Sequence, residues 1–206
     1  MTATAYDSRP RMWLRSLNCD GGRGLALLLV LALLLGLAAG DGPWRLALQY
    51  QRSRVAAGEW WRLLTAHLVH LGARHVLLDA LGLVLLWILY ARSLRVGAWI
   101  GTLAATVLGI DAGLWWLSPA VQWYVGLSGV LHGAWAGGAA GAWRGGEGRT
   151  LAAASLALLA IKILAEQMHR GGVVGTGLPV IVDAHLYGAA GGLLGALASA
   201  RWARQL

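Results

Sequence analysis

The stretch that decides the fold is GLSGVLHGAWAGGAAGAW, at residues 126–143. Within it a small residue returns at every fourth position, at Gly129, Gly133, Gly137 and Gly141. Residues four apart share one face of a helix, and a face without side chains lets another backbone approach closely inside a membrane. The last apolar segment repeats this spacing at Ala184, Gly188, Gly192, Ala196 and Ala200. The sequence therefore predicts that these two helices pack directly against each other.

The composition is that of a membrane protein. Of the 206 residues, 58% are hydrophobic and 13% are charged, against roughly 45–50% and 25% in soluble domains. The formal charge of +8 comes mostly from arginines between apolar segments. We interpret these arginines as topology signals and predict no nucleic-acid partner. Cys19 is the single cysteine, so no intrachain disulfide is possible.

Six apolar stretches predict an all-α membrane protein built as a six-helix bundle in the lipid bilayer. They lie at about residues 24–40, 72–91, 96–117, 127–143, 151–168 and 182–201, and a helix needs about 20 residues to cross the hydrocarbon. The membrane domain is expected to span 24–201, with short segments 1–23 and 202–206 outside it. Arginines gather on the side of both ends of the chain, which the positive-inside rule assigns to the cytoplasm. The first connection is the exception, because it carries Arg45, Arg52, Arg54, Arg62 and Arg74 on the opposite side.

The first connection, about residues 41–71, is expected to lie in the outer interface. It carries Gly58-Glu59-Trp60-Trp61-Arg62, and tryptophan anchors amphipathic elements at that depth. An ordinary polar loop is the alternative. The first stretch also has an alternative, because Leu37-Ala38-Ala39-Gly40 after a basic start is typical of a cleavable signal peptide. The length of the stretch favours a retained helix.

Polar side chains converge on the outer side of this bundle. With six alternating spans, the second, fourth and sixth enter from that side, where they begin with the His67–Asp79 cluster, Ser128 and His185. A serine hydroxyl and an imidazole are the nucleophile and base of covalent hydrolysis. The fourth span, about 16 residues or roughly 24 Å, is shorter than the ~30 Å core. Ser128 is therefore expected in a water-filled recess, at a helix N-terminus that favours an oxyanion.

These residues resemble the rhomboid intramembrane serine peptidases. The matching elements, in chain order, are Trp61-Arg62, His70, His75, Gly126-Leu127-Ser128-Gly129 and Ala184-His185-Leu186-Tyr187-Gly188. The resemblance covers about residues 44–200. It implies that Ser128 is the nucleophile and His185 the general base, with no cofactor and no metal. It also implies a membrane-anchored protein substrate, a place in the bacterial inner membrane and an active site toward the periplasm.

Two positions depart from the family pattern. Rhomboids place a histidine and an asparagine four residues apart in the oxyanion site, where this chain has His75 and Asp79, and Gly126 is expected to support the same site. An ionised carboxylate would repel an oxyanion, so we hypothesise that the apolar site keeps Asp79 protonated. The alternative is that His75 and the backbone amides suffice. His132 stands where rhomboids often carry a tyrosine and is expected to pack on His185.

Two stretches, Gly58 to His70 and Gly126 to Gly133, look most like the rhombosortase branch of the family. Rhombosortases are compact six-helix rhomboids, and this resemblance implies substrates that end in a Gly-Gly motif, a hydrophobic helix and a basic tail. Between the fifth and sixth stretches, the glycine-rich residues 171–177 are hypothesised to form a flexible lid.

A metal site is the first competing interpretation. His67, His70, His75 and Asp79 offer imidazole and carboxylate ligands on one stretch of chain, as metal sites require. The chain has no His-Glu-x-x-His motif, which is the sequence pattern of a helical zinc site. We therefore predict no metal.

A transporter or an inactive rhomboid-like binding protein is the second competing interpretation. Ionisable groups in or beside the spans mark ion pathways, and here they are Asp111, Lys162, Glu166 and Asp183. Lys162 and Glu166 are four apart and are expected to pair with each other. Asp183 precedes His185 by two residues and is expected to point elsewhere. The presence of both Ser128 and His185 favours an enzyme.

Overall fold

The structure is a computed structural model of the chain. It describes residues 22–38, 42–146, 148–169 and 180–202, with side chains as far as residue 199. Cys19, the end of the first apolar stretch and the glycine-rich residues 171–177 lie outside the described residues. The expectations made for them, including the lid, stay predictions.

Helices account for most of the described chain. In chain order they are α1 Gly22–Ala38, α2 Gly42–Leu48, α3 Arg52–Ala56, α4 Trp61–Thr65, α5 Ala73–Tyr90, α6 Val96–Ala112, α7 Ser128–Gly145, α8 Arg149–Met168 and α9 Val182–Trp202. A 3-10 turn at Ala66–Leu68 follows α4, and a π-helical turn at Gly113–Leu117 continues α6. Two short strands, β1 Tyr50–Gln51 and β2 Trp123–Tyr124, pair antiparallel.

Three helices of the described segments are long and apolar enough to cross a membrane on their own. These are Ala73–Tyr90, Val96–Leu117 and Arg149–Met168. A fourth is added only if α1 and α2, whose axes differ by 116°, are counted as one bent span. The prediction of a helical membrane protein is confirmed apart from the short β1–β2 pair, whereas the count of six crossings stays a prediction. The helices α7 and α9 fall short because their glycines and alanines carry little apolar surface.

Helices α7 and α9 form the centre of the bundle and touch through their backbones. A Cβ built on Gly188 would overlap the carbonyl oxygen of Gly129, and one built on Gly192 would overlap that of Gly133. Side chains at these positions would force the helices apart. Gly141 lies outside this contact, because a Cβ there would meet the side chain of Leu94 instead.

Burial separates the central helices from those that face lipid. Ten residues of α7 are buried, against three of α5 and two of α8. Large apolar side chains of α5 and α8 are instead exposed, among them Leu77, Leu81, Ile161, Leu164 and Met168. In a membrane such side chains contact acyl chains, so α7 is shielded by its neighbours and does not need a strongly apolar surface.

Arg62 anchors the first connection. Its guanidinium donates to Glu59 at 2.5 Å and to two main-chain carbonyls at 2.8 Å, and the residue is only 6% exposed. The hydrogen bond from Arg62 lowers the pKa of the Glu59 carboxyl, so the ion pair is complete at neutral pH. Trp60 and Trp61 are more than half exposed, which leaves an aromatic face uncovered for the lipid–water interface.

Candidate active site

Ser128 and His185 meet where two helices begin. Ser128 is the first residue of α7, and His185 lies in the first turn of α9. The Oγ of Ser128 is 2.9 Å from the Nε2 of His185, a hydrogen-bond distance. The contact follows from the backbone packing of α7 on α9, since Gly129 and Gly188 bring the adjoining helical turns together.

His132 covers the face of His185. The two rings are stacked, with centroids 4.0 Å apart and planes inclined by 8°. The Nδ1 of His132 donates to the backbone carbonyl of Ser128 at 2.7 Å, one helical turn earlier. This bond fixes the ring of His132, and the stack in turn restricts the rotation of the His185 imidazole.

The turn before Ser128 requires a glycine. Gly126 has φ +115°, and a Cβ there would lie 2.8 Å from two ring atoms of His75. Its amide donates to the carbonyl of Ala66 at 3.0 Å, and the β1–β2 pair, with Tyr50 opposite Tyr124, holds the same segment from the first connection. The backbone leading to Ser128 is thus bound to the loop before α5.

Asp79 lies behind this turn as a hydrogen-bond acceptor. Its Oδ2 accepts the amide of Leu127 at 2.9 Å and lies 3.1 Å from the Nε2 of His70. The Nε2 of His75 is 3.6 Å from the same oxygen. His70, which the sequence analysis assigns to the first loop, therefore belongs to the support of the site. The proposed protonation of Asp79 stays a prediction, and its contacts add a bracing role that the sequence analysis missed.

Glu166 contacts His185, and the sequence alone does not predict this contact. Its Oε2 is 2.9 Å from the Nδ1 of His185, while its Oε1 accepts a hydrogen bond from the ammonium of Lys162. The four-residue spacing predicts only the pairing of Glu166 with Lys162. Helix alternation was the signal available, because the end of the fifth long helix must lie on the same side of the membrane as the start of the sixth.

The remaining ionisable residues lie elsewhere. Asp183 accepts a hydrogen bond from Ser118 Oγ at 2.7 Å, and Asp111 pairs with His67 at 3.7 Å. His67 therefore does not join His70, His75 and Asp79 in one ligand set. Among the described residues, the one group with ligand atoms all within 4.8 Å of each other comprises His132, Glu166 and His185.

A cavity of about 580 Å³ opens beside Ser128 between α5, α7 and α8. Most of its wall is apolar, formed by Leu78, Gly82, Leu85, Leu86, Leu89, Leu151, Ala154 and Leu158. Its polar end holds Ser128, His132, Lys162, Glu166 and His185. The arrangement can hold an apolar chain segment against an activated hydroxyl.

The family follows from a comparison with known protein families. The family model described as Rhomboid domain matches residues 57–202. The chain belongs to the rhomboid family. Rhomboids are generally intramembrane serine proteases that act on membrane proteins, and this rhomboid is a multi-pass membrane protein. No curated protein matches the chain.

The matched region contains the whole site of this rhomboid. It begins shortly before Arg62 and includes α5, α7, α8 and α9, which carry His75, Ser128, Glu166 and His185. Helix α1 precedes it, and its Leu34 is buried against Val76 of α5. The site residues thus all lie in the family domain, while α1 and β1 support it from residues before the match.

Proposed function

We propose that this rhomboid is an active intramembrane serine protease in which Ser128 is the nucleophile and His185 the general base. The observation that carries the proposal is the 2.9 Å contact between Ser128 Oγ and His185 Nε2 at one end of an apolar cavity. A serine at that distance can transfer its proton to the imidazole as it attacks.

The reaction proceeds through an acyl-enzyme. Ser128 Oγ bonds to the scissile carbonyl carbon while its proton moves to His185 Nε2. The C–N bond then breaks, and His185 returns the proton to the departing amine. Water repeats the attack on the ester, its proton again passing through His185, and releases the acid and the free serine.

The oxyanion is stabilised by two groups. The first amides of α7 have no acceptor within the helix, and they lie at its positive dipole end. The amide of Leu71 donates to Nδ1 of His75 at 3.4 Å, so the ring hydrogen of His75 is on Nε2, which lies against Gly126. The Leu127 amide is already bound by Asp79, and we assign the Ser128 amide and His75 as the donors.

The substrate is a protein anchored in the bilayer, and it reaches Ser128 along the cavity between α5 and α8. The leucines of both helices that line the cavity match the apolar side chains of a membrane segment. We place the protein in the bacterial inner membrane with six crossings, both termini in the cytoplasm and Ser128 toward the periplasm. The arginine distribution supports this orientation.

The substrate class is that of a rhombosortase. The stretches Gly58–His70 and Gly126–Gly133 support the branch, and a Gly-Gly motif presents little bulk to Ser128, whose carbonyl is bound by His132. The transporter alternative has no comparable support, because Asp111 and Asp183 are engaged with His67 and Ser118 and do not form one path with Lys162.

Co-expression tests the function. A reporter that ends in Gly-Gly, a hydrophobic helix and a basic tail is expressed with the wild type or with Ser128→Ala, and its release from the membrane is measured. We expect release only with the wild type. Equal release of the reporter with both proteins would contradict the proposed activity. So would a wild type that releases neither this reporter nor any of a panel of other single-span reporters.

A further inference from the structure

We infer that Glu166 is a positioning residue that completes a Ser128–His185–Glu166 relay. This inference rests on the proposed function and extends it. Both ring nitrogens of His185 are engaged, Nε2 with Ser128 Oγ and Nδ1 with Glu166 Oε2, each at 2.9 Å. The order of serine, imidazole and carboxylate is the one in which a carboxylate orients a catalytic histidine.

The carboxylate selects the tautomer of His185. An ionised carboxylate only accepts hydrogen bonds, so the ring hydrogen of His185 must reside on Nδ1, facing Glu166. The lone pair of Nε2 then faces Ser128, which is the arrangement a general base needs. Without Glu166 the hydrogen would be free to occupy Nε2, where it would block proton transfer from Ser128.

The same contact stabilises the charge that forms during attack. When His185 takes the proton of Ser128 it becomes an imidazolium, and the Glu166 carboxylate is already in place to pair with it. The side chains of His185 and Glu166 are only 4% and 9% exposed, so solvent screens the attraction poorly. No group has to move at the moment of reaction.

Lys162 holds Glu166 in this position. It lies one helical turn before Glu166 on α8 and binds the other carboxylate oxygen, Oε1. The two carboxylate oxygens of Glu166 therefore bind different partners at the same time, Oε1 the ammonium of Lys162 and Oε2 the Nδ1 of His185. The ammonium of Lys162 also compensates the resting charge of a carboxylate that would otherwise be buried and unpaired.

The group formed by His132, Glu166 and His185 is poorly arranged to bind a metal ion. The rings of His132 and His185 are stacked almost parallel, so their in-plane lone pairs run side by side rather than toward one point. The Nδ1 of His132 is bound to the Ser128 carbonyl, and both nitrogens of His185 are occupied as described, so Nε2 of His132 is the one imidazole nitrogen of this group without a hydrogen bond. The geometry points to a proton relay rather than to a metal centre.

The test measures how fast a fluorophosphonate probe labels the purified full-length protein in lipid. The variant Glu166→Gln keeps the shape of the side chain and removes its charge. We expect the maximal labelling rate to fall roughly 10²-fold or more, with little change in the probe concentration for half-maximal rate. Glu166→Asp should recover part of the loss, because it restores a carboxylate at a longer distance. The matched control is Asp183→Asn, which removes a carboxylate that is near His185 in sequence and accepts a hydrogen bond from Ser118, and should stay within about threefold of wild type.

A double variant excludes a merely structural role. If Glu166 matters only as the partner of Lys162, then Lys162→Met combined with Glu166→Gln leaves no unpaired charge and labelling returns. If Glu166 positions His185, the double variant stays slow. A wild-type labelling rate in Glu166→Gln, or recovery of labelling in the double variant, would overturn the role of Glu166 but not the proposed function. Absence of labelling in the wild type itself would instead overturn the proposed function.

Discussion

Two pairs of helices around Ser128 differ in how they meet. Helices α7 and α9 touch backbone to backbone through Gly129, Gly133, Gly188 and Gly192. Helices α5 and α8 instead face each other across the apolar cavity and present leucines to it. The main chains of α7 and α9 are in direct contact, whereas α5 and α8 leave room between them for a third chain segment.

The difference separates two requirements of a membrane hydrolase. The bond between Ser128 and His185 depends on a fixed distance, and glycine ridges set that distance without flexible side chains. Admission of a substrate requires space, which the α5–α8 side provides. In this account, changes to the α7–α9 contact act on the chemistry, and changes to the cavity act on access.

The largest effect is expected from Gly192→Ala. The new Cβ would overlap the Gly133 carbonyl, and overpacking of this kind costs roughly 1–3 kcal/mol. Separation of α7 from α9 should also lengthen the bond between Ser128 and His185. We expect loss of probe labelling together with a lower unfolding temperature, measured in the same lipid. The control is Gly97→Ala on α6, where a Cβ meets nothing within 4 Å; a loss of equal size there would remove the distinction.

An intermediate effect is expected from Ala154→Trp, which fills the cavity from α8. The indole should obstruct a membrane-spanning substrate and lower reporter release about tenfold or more, an estimate for a blocked binding cleft. Labelling by the small fluorophosphonate should be nearly unchanged. Ala157→Trp is the matched control, since Ala157 is exposed on the same helix and does not line the cavity. Equal losses of release and labelling in Ala154→Trp would mean that the cavity is not a separate access route.

The smallest effect is expected from Asp79→Asn on α5. The amide oxygen can still accept the hydrogen bond of Leu127, so reporter release should stay within a few-fold of wild type or rise. Asp79→Ala removes the acceptor and should reduce release about tenfold, because an unsatisfied buried amide costs roughly 1–3 kcal/mol. Reporter release by both variants is to be measured over a range of pH values. If Asp79→Asn abolishes release, the carboxylate has a role beyond bracing Leu127.

The sequence was informative wherever spacing alone determined the contact. The four-residue recurrence of glycine in residues 129–141 and 188–192 predicts a close helix pair, and helix alternation predicts which ends share a side of the membrane. The meeting of Ser128 with His185 follows from these two arguments. The bounds of these helices also follow from the apolar stretches, but hydropathy alone does not identify α7 and α9 as crossings, since it is low where they are shielded from lipid.

Glu166 shows what spacing could not give. A lysine four residues before a glutamate predicts a helix pair, and that pair is present. The second carboxylate oxygen is directed by the rotation of α8 about its axis, which depends on packing against α7 rather than on a repeat in α8. The bracing contact of Asp79 with Leu127 has the same origin, because the partner lies in an irregular turn.

The most direct measurement is fluorophosphonate labelling of the wild type in lipid, followed by mass spectrometry of the labelled peptide. We expect covalent modification at Ser128 in the wild type, and none in Ser128→Ala or in heat-denatured protein. Labelling should also decrease strongly in His185→Ala, in which the base is absent. Modification of another serine, or equal labelling of the wild type and Ser128→Ala, would contradict the assignment of Ser128 as the nucleophile.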